Sequence, residues 1–416
     1  MFTELQCSYS TICCKELMAK VIPDYHIVDP LDCLFWERGC NDTYVIRCSN
    51  TRYVMRIYRH GVYPRDEIDF EVDALSYLHR QGFPVAYPIA RKSGGYITEI
   101  SAPEGVRYIL VTAFAEGSDL DCETVDEFRL YGESVAWLHE ASQGFTTPHK
   151  KKDLDLANFI DDSVSAIEPF ILHRPKELEL LNQYVDDARK EILHIGEDFM
   201  DKGFCHGDVH GGNAHLHNGV LTHFDFEECG FGFRVFDLAT FKWAFGLRDS
   251  KSEKWQAFVN GYQSVRKISE ADFELLDTFV LLRHVWLIGF HMRNASDFGG
   301  ELTSDEYIDR QWRVLKSFNL QGIGVELKRE DKYTVVVSVL SDGPADLSGL
   351  VNAGDRIVGI GEGENKFKDV LGLPLDDVTD LIAGPEESTV QLKILPVDMP
   401  AGSPARIVTL VRRKFN

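Results

Sequence analysis

A short segment between Phe204 and Phe226 carries the side chains best suited to chemistry. It reads FCHGDVHGGNAHLHNGVLTHFDF, an H-x-D-x-x-x-x-N run followed by D-F. A carboxylate such as Asp208 can orient a hydroxyl nucleophile, and the oxygens of Asn213 and Asp225 suit a hard cation that carries nucleotide phosphates. The spacing therefore indicates phosphoryl transfer.

The elements around this segment must hold its polar side chains together. Strand-like pieces at 214–216 and 221–224 flank the turn-forming pair Asn218-Gly219, a pattern typical of a β-hairpin. Such a hairpin would bring Asn213 and Asp225 close to each other. We therefore expect one compact site and not three scattered polar residues.

The rest of the chain falls into three compositional regions. Residues 44–60 alternate like a hairpin, residues 65–81 have the apolar spacing of a helix, and residues 106–114 read as a buried strand. Five later stretches show the i, i+3, i+4 apolar spacing of helices: 125–142, 178–201, 254–265, 271–293 and 303–318. Short β-rich runs separated by Gly, Pro and Asp follow residue 318. The sequence thus predicts an α+β protein in which a small sheet, a mainly helical region and a β-rich domain succeed one another.

Composition excludes several classes of partner. The 416 residues contain 66 acidic and 44 basic side chains, a formal net charge of -22, which repels nucleic acids and anionic membranes. The longest apolar stretch, 279–292, contains Arg283 and His284 and is too short to span a bilayer. Nine cysteines without C-x-x-C spacing fit a reducing compartment. We expect a cytoplasmic protein with no nucleic-acid or membrane partner.

The motif HGDVHGGN followed by FDFE resembles the aminoglycoside phosphotransferase and choline kinase superfamily, whose two-lobed fold is related to protein kinases. The resemblance implies ATP and Mg2+ as cofactors. It assigns Asp208 to the acceptor hydroxyl, as the catalytic residue, and assigns Asn213 and Asp225 to magnesium. His206 and Asp237 would be structural residues that shape and brace the catalytic loop.

The nucleotide side of the cleft is expected on the N-terminal sheet. The strand YVMRIYR places Val54 and Arg56 on one face by its two-residue period. The resemblance implies that Arg56 lies over the α and β phosphates, and Arg can grip phosphate through two donors at once. Glu71 on the following helix would fix Arg56, with Glu67 as a rival.

The strand that ends near residue 114 completes the predicted nucleotide site. In the fold that the chain resembles, this strand offers backbone hydrogen bonds to adenine at the junction of the lobes. The resemblance therefore implies that Thr112 and Phe114 belong to the nucleotide-binding residues.

The acceptor is less constrained than the nucleotide. Within the superfamily, residues 30–318 are most similar to the stress-response kinase and type II homoserine kinase branch, which includes both small-molecule and protein Ser/Thr acceptors. Several residues could face the acceptor, although each could equally serve the core or the surface: Glu227, Glu228, His284, Trp286 and Arg293.

The C-terminal region resembles a PDZ domain of the kind found in tail-specific proteases, through GIGVEL, GPADLSGLVNAGDRIVGI and LDDVTDLIAGP. The resemblance implies that the backbone of Gly322, Ile323, Gly324 and Val325 holds a peptide terminus as an added strand. No histidine opens the helix after Pro374, which favours an apolar peptide tail. The partner would be the C-terminus of a substrate or of another protein.

These patterns divide the chain into four segments: an N-terminal extension (1–25), a kinase-like N-lobe (26–112), a helical C-lobe with the catalytic loop (113–318) and a PDZ domain (320–416). Two alternatives stay open. One is a catalytically weak pseudokinase scaffold whose PDZ domain recruits partners. The other is a zinc hydrolase, since imidazole and carboxylate clusters suit that metal. Its ligands would come from the following set: His206, Asp208, His210, His215, His217 and His223.

Overall fold

The structure is a computed structural model that describes residues 7–247, 252–319, 322–341, 343–362, 366–384, 388–400 and 403–413. The chain divides into two compact units, one ending at Gly299 and the other beginning at Gly300. Within the described ranges, no helix has both the length and the apolar character needed to cross a bilayer. The helix at Asp305–Asn319 groups with the second unit, whereas the sequence pattern assigned it to the helical lobe. The limits of the four segments stay predictions.

The first unit begins with an antiparallel sheet of five strands in the order β1-β2-β3-β5-β4. Its elements are α1 (Cys14–Lys20), β1 (Pro30–Arg38), β2 (Asp42–Cys48), β3 (Arg52–Ile57), α2 (Arg65–Arg80), β4 (Ile97–Ala102) and β5 (Gly105–Ala113). The hairpin, the helix and the strand predicted for this region are all present, with ends that differ by a few residues.

The two faces of this sheet pack against different partners because side chains alternate along a strand. Ile57 and Val111 join Leu17 of α1 in one buried cluster. Leu110, on the opposite face, joins a second cluster with Leu75 of α2. The chain neighbours of Arg56 in β3 belong to the first cluster. Because side chains alternate, Arg56 points to the opposite face of the sheet, toward α2 and the cleft.

The helical region follows the sheet. Its helices are α3 (Val125–Ala141), α4 (Ser163–Ile171), α5 (Pro175–Ile195), α6 (Val235–Ala244), α7 (Glu253–Val265), α8 (Glu270–Glu274), α9 (Leu276–Arg293) and α10 (Ala295–Phe298). Its short strands are β6 (Ser118–Asp119), β7 (Lys202–Cys205), β8 (Ala214–His217), β9 (Val220–His223) and β10 (Gly230–Phe233).

One predicted helix of this region, 271–293, is divided in two. The helix α8 ends at Glu274, and the backbone of Leu275 opens to ψ -1° before α9 begins. The side chain of Leu275 is fully buried. The apolar spacing of the sequence continues through Leu275 and therefore did not reveal this break.

Two glycines allow α3 and α7 to cross closely. A Cβ on Gly132 of α3 would lie 2.0 Å from the Phe258 carbonyl oxygen, and a Cβ on Gly261 of α7 would lie 2.0 Å from the Arg129 carbonyl oxygen. Each helix thus presents its one side-chain-free position to the backbone of the other. This contact fixes α3, whose buried face supports the catalytic segment.

The predicted hairpin of the catalytic segment is confirmed. Strands β8 and β9 pair antiparallel around Asn218 and Gly219, both of which have positive φ, as expected for a tight two-residue turn. The flanking strands β7 and β10 also pair with each other. The catalytic loop therefore leaves one small sheet and enters another.

The second unit is β-rich, as predicted for the PDZ region. Its elements are α11 (Asp305–Asn319), β11 (Val325–Glu330), β12 (Tyr333–Val339), α12 (Pro344–Ser348), β13 (Arg356–Gly361), β14 (Phe367–Asp369), α13 (Leu375–Ile382), β15 (Thr389–Leu395) and β16 (Arg406–Val411). The sheet order is β11-β12-β13-β15-β16, with β14 paired to β13. The strand β11 therefore lies at an edge, where it could accept an added strand.

Candidate active site

The buried carboxylate of Asp237 holds the backbone of the loop that carries Asp208. Asp237, near the start of α6, accepts hydrogen bonds from the backbone N–H groups of His206 and Gly207, both at 2.8 Å. It also contacts His139 Nε2 at 3.0 Å. Burial would raise the pKa of Asp237, but its hydrogen bond with His139 and the backbone donors hold that pKa below its ordinary value.

Gly207 turns the loop at a point where no side chain fits. Its φ is +84°, and a Cβ there would lie 2.1 Å from the Glu228 carbonyl oxygen. The ring of His206 ties the same loop to the hairpin, since its Nε2 lies 3.1 Å from the Phe224 carbonyl oxygen and its Nδ1 accepts from the Asp208 N–H at 3.3 Å. His206 is therefore placed as a strut of the loop.

Asn213 and Asp225 lie at the two ends of the hairpin. The backbone N–H of Phe224 donates to the Asn213 carbonyl oxygen at 3.0 Å, which brings the two chain ends together. The Asn213 amide nitrogen donates to the Asp208 carbonyl oxygen at 2.9 Å and to Asp208 Oδ2 at 3.2 Å. Because a carbonyl oxygen only accepts, this contact fixes the orientation of the amide and leaves Asn213 Oδ1 available as a metal ligand.

The backbone of Asp225 is strained. Its φ of +63° lies in the left-handed region, which non-glycine residues seldom adopt except Asn and Asp. Its side chain is 40% exposed in the cleft. Together with Asn213 Oδ1, the Asp225 carboxylate forms the oxygen donor set that Mg2+ prefers, so the residues fit the expected metal.

Arg56 lies at the centre of the cleft between three carboxylates. Its guanidinium nitrogens lie 3.1 Å from Glu71, 2.9 Å from Asp225 and 2.9 Å from Glu227. Burial would lower the pKa of Arg56, but Glu227, Asp225 and Glu71 hold it above its ordinary value. Glu67 is absent from the contacts of Arg56 among the described residues.

The partners of Arg56 are themselves fixed. Glu71 is 2% exposed, and its second oxygen accepts from the Tyr58 hydroxyl at 2.8 Å. Glu227 accepts from the Asn41 amide at 2.7 Å and from the Tyr63 hydroxyl at 3.1 Å. Glu227, one of the residues that could face the acceptor, is thus held between Arg56, Asn41 and Tyr63.

Asp208 has a cationic partner that comes from a distant helix. Arg283 of α9 donates from Nη2 to Asp208 Oδ1 at 2.6 Å. Burial on its own would raise the pKa of Asp208, but Arg283 and His210 hold this pKa well below its ordinary value. Sequence reasoning did not select Arg283; the signal was its position as a charge inside an otherwise apolar stretch.

A cavity adjoins Arg56 where the sheet meets the helical region. It encloses about 540 Å³ of space, part of it open to solvent, and its lining residues include Val54, Arg56, Glu71, Thr112, Phe114, His215 and Asp225. The Ala113 N–H and the Val111 carbonyl oxygen are bonded to Tyr87 and Ile89. Thr112 and Phe114, the predicted adenine-side residues, thus line the cavity. The backbone groups of Val111 and Ala113 named above are already used in hydrogen bonds within the protein.

Of the other acceptor candidates, His284 and Trp286 lie near Arg283, whereas Glu228 and Arg293 have partners elsewhere. Glu228 is half-buried, and burial raises its pKa to about 7 against the opposing charge of Lys151. His284 accepts from the Trp243 indole N–H at 3.3 Å. Trp286 packs on the guanidinium of Arg283, and the exposed Arg293 donates to the Asp162 carbonyl oxygen.

The ligands proposed for zinc do not assemble. The group of metal-type side chains found among the described residues is buried and consists of His139, Cys205 and Asp237. Its histidine and carboxylate are already hydrogen-bonded to each other and to the catalytic loop. The six residues suggested by the sequence form no such group in the described ranges.

The loop that precedes β11 in the second unit uses its backbone carbonyl groups in hydrogen bonds within that unit. The carbonyl oxygens of Gly322, Ile323 and Gly324 accept from the backbone N–H groups of Arg413, Ala345 and Leu340. Gly324 has a φ of +73°. Among the described residues, no group accepts a hydrogen bond from the N–H groups of Ile323 and Gly324, so both remain available beside the edge strand β11.

Each of the two units resembles a known protein family. A model of the phosphotransferase enzyme family matches residues 37–268, more than half of the chain, and a PDZ domain model matches residues 311–395. An uncharacterized protein of Synechocystis sp. is 31% identical over 288 residues, 68% of this chain and 80% of that protein. A homoserine kinase of Allorhizobium ampelinum is 25% identical over 239 residues, 56% of this chain and 70% of the kinase.

Two further similarities concern the fold and the C-terminal region. The structure of a microcompartment-associated aminopropanol kinase has a TM-score of 0.60 and 22% identity, covering 73% of this chain and 97% of that one. A tail-specific protease of Haemophilus influenzae is 37% identical over 108 residues, 24% of this chain but 15% of the protease. The protein is thus a kinase-type phosphotransferase: its chain belongs to the phosphotransferase enzyme family and carries a PDZ domain at its C-terminal end.

Proposed function

We propose that the protein transfers the γ-phosphoryl group of ATP to a hydroxyl group in a magnesium-dependent reaction. One observation carries the proposal: the hairpin holds Asn213 and Asp225 beside Asp208, and Arg56 reaches the Asp225 carboxylate from the sheet at 2.9 Å. The parts needed for phosphoryl transfer, a hydroxyl-facing carboxylate, oxygen ligands and a phosphate-facing cation, therefore share one cleft.

Each side chain has a separate task in this reaction. Asp208 accepts a hydrogen bond from the acceptor hydroxyl and aims its oxygen at the γ-phosphorus. Asn213 and Asp225 would hold Mg2+, which neutralises charge on the phosphate oxygens when it is bound. Arg56, fixed by Glu71, contacts the α and β phosphates. The acceptor oxygen forms a bond to the γ-phosphorus as the bond from that phosphorus to the bridging oxygen breaks and ADP leaves, while the hydroxyl proton passes to the Asp208 carboxylate and from there to solvent.

The acceptor class follows from the family and from the second unit. Relatives of this chain are homoserine kinases, and a structural neighbour is an aminopropanol kinase, which makes a small alcohol the first acceptor to test. A protein Ser or Thr is the second, because a PDZ domain can bind the C-terminus of a protein substrate. We place the reaction in the cytoplasm, where ATP is available and where nine free cysteines remain reduced.

The PDZ domain would bind the C-terminus of a peptide. The available N–H groups of Ile323 and Gly324 suit a terminal carboxylate, and the edge strand β11 suits the peptide backbone. Val325, Leu327 and Leu381 border the domain core and favour apolar peptide side chains.

Two measurements test the proposal together. Thermal unfolding is followed with buffer, Mg2+, ATP, and Mg2+ with ATP, because a ligand that binds the native state raises its melting temperature. ATP consumption is then measured with an alcohol panel of L-homoserine, 3-amino-1-propanol, 1-amino-2-propanol and a Ser/Thr peptide mixture. A shift that requires both Mg2+ and ATP, with turnover of an alcohol, supports the proposal. No shift and no turnover would favour a scaffold whose PDZ domain does the binding.

A further inference from the structure

Arg283 of α9 contacts the catalytic loop directly. Its Nη2 lies 2.6 Å from Asp208 Oδ1, although the two residues are 75 positions apart. The opposite oxygen, Oδ2, lies 3.2 Å from the Asn213 amide nitrogen and 3.5 Å from His210 Nε2. Both oxygens of the hydroxyl-facing carboxylate are therefore held by different elements.

The guanidinium of Arg283 is fixed in position by aromatic rings. Its carbon lies 4.6 Å from the ring centre of Trp286 and 5.4 Å from that of Trp243. Trp243 is in turn bonded to His284 through its indole N–H. A cation between two indole faces is attracted by both rings and loses much of its freedom to rotate.

Burial decides how Arg283 can act. Only 4% of its surface is exposed, and its Nε and Nη1 are shielded from solvent with no hydrogen-bond partner among the described residues. Burying a guanidinium whose donors are not all hydrogen-bonded costs free energy of folding. The hydrogen bond that Arg283 makes is with Asp208.

We propose that Arg283 is a positioning residue for phosphoryl transfer, which holds the Asp208 carboxylate in the plane that faces the acceptor hydroxyl. This inference rests on the proposed function. Transfer requires the attacking oxygen to be aligned with the phosphorus, and a carboxylate that rotates loses that alignment. The chain therefore fixes one oxygen from α9 and the other from the catalytic loop.

The test compares Arg283 variants in the full-length protein. R283M removes the donor, and R283K keeps the charge but cannot occupy the same planar site between two indoles. R189M is the matched control, because Arg189 also donates from Nη2 to an aspartate Oδ1, that of Asp161, at the surface. Steady-state rates are measured with the alcohol panel and, without added alcohol, as release of labelled phosphate from ATP.

We expect R283M to lower kcat about 100-fold, with KM for ATP changed by less than about threefold, since alignment and not nucleotide binding is lost. R283K should recover part of the rate and remain about tenfold below wild type, and R189M should match wild type. The double variant D208N/R283M should be no slower than D208N. The stabilisation by Mg2+ and ATP should persist in each of these variants.

Three outcomes would overturn the inference: a wild-type kcat in R283M or R283K, a loss confined to KM for ATP, or losses that multiply in the double variant. If R283M does not fold, R283K alone decides by the same rate criterion. A fully active D208N would instead refute the proposed function, and a wild type that binds ATP without turnover would refute both. An inactive D208N beside a normal R283M refutes the positioning role alone.

Discussion

The guanidinium of Arg56 lies 2.9 Å from the Asp225 carboxylate, across 169 positions of sequence. This contact joins the N-terminal sheet to the catalytic hairpin at the point where phosphates and metal are expected. Arg56 is shared at the same time with Glu71 and Glu227, so the cation is fixed before any nucleotide enters. A phosphate group arriving there would meet an oriented guanidinium at low reorganisation cost.

Replacement of Arg56 by Lys should weaken ATP binding. The lysine keeps the charge next to three carboxylates but loses the planar set of donors, so KM for ATP should rise about tenfold while the protein stays folded. R47K is the control, because Arg47 pairs with Asp32 on the exposed part of the same sheet. Equal KM values for R56K and wild type would remove Arg56 from the nucleotide site.

Replacement of Asp225 by Asn should separate metal binding from folding. Asn tolerates the φ of +63° that this position requires, so the melting temperature without ligands should change little. The loss of a charged oxygen ligand should abolish the additional stabilisation that Mg2+ gives in the presence of ATP and lower kcat roughly 100-fold. A Mg2+ titration of the melting temperature checks this, and a wild-type titration curve would contradict the assignment.

Replacement of Gly207 by Ala should destabilise the protein more than the same change at Gly219. Both positions have positive φ, but a Cβ at 207 would meet a carbonyl oxygen at 2.1 Å, whereas at 219 it meets open space. We expect a loss of about 1 kcal/mol for G219A, from backbone strain, and at least about 2 kcal/mol more for G207A. Denaturant unfolding of both variants measures the difference, and equal losses would argue against the clash.

Buried His223 should make stability depend on pH. Burial, with a contribution from His206, lowers its pKa to about 3, against an ordinary value of 6.5. Between these values the unfolded chain binds a proton that the folded chain does not, so stability is full above pH 6.5 and falls as pH decreases. At pH 5.5 this group should account for about 1.4 kcal/mol of the loss.

The pH effect is checked by unfolding wild type and H223Q at pH 7.5 and 5.5. The decrease should be smaller in H223Q by about the stated amount. H149Q is the control of opposite sign, since the hydrogen bond to Asp66 raises the pKa of His149 and its contribution fades as pH rises. Parallel pH curves for wild type and H223Q would show that His223 is protonated at its ordinary pKa.

The motif residues were predictable because their spacing is local. Asp208 and Asn213 share one loop, and the Asn218-Gly219 turn returns the chain to Asp225. Residues that are close in the sequence of this segment are therefore also close in space. Arg56 was also accessible to reasoning, since the two-residue period of β3 assigns it to one face. The catalytic, metal and nucleotide roles of these residues stay predictions until the variants are measured.

Other contacts depend on packing that no local pattern encodes. Arg283 meets Asp208 across 75 positions of sequence, and a one-residue shift in the register of α9 would turn its side chain by about 100° around the helix axis. From the sequence, Glu227 is one of five residues that could face the acceptor, the core or the surface. In the structure it accepts a hydrogen bond from Asn41, which lies 186 positions away, and pairs with Arg56.

The most direct test of the proposed function is phosphoryl transfer by wild type and D208N, measured with labelled ATP, Mg2+ and the alcohol panel. We predict that wild type labels an alcohol and that D208N lowers this rate roughly 1,000-fold while keeping the stabilisation by Mg2+ and ATP. A D208N protein that transfers phosphate at the wild-type rate would contradict the catalytic role of Asp208.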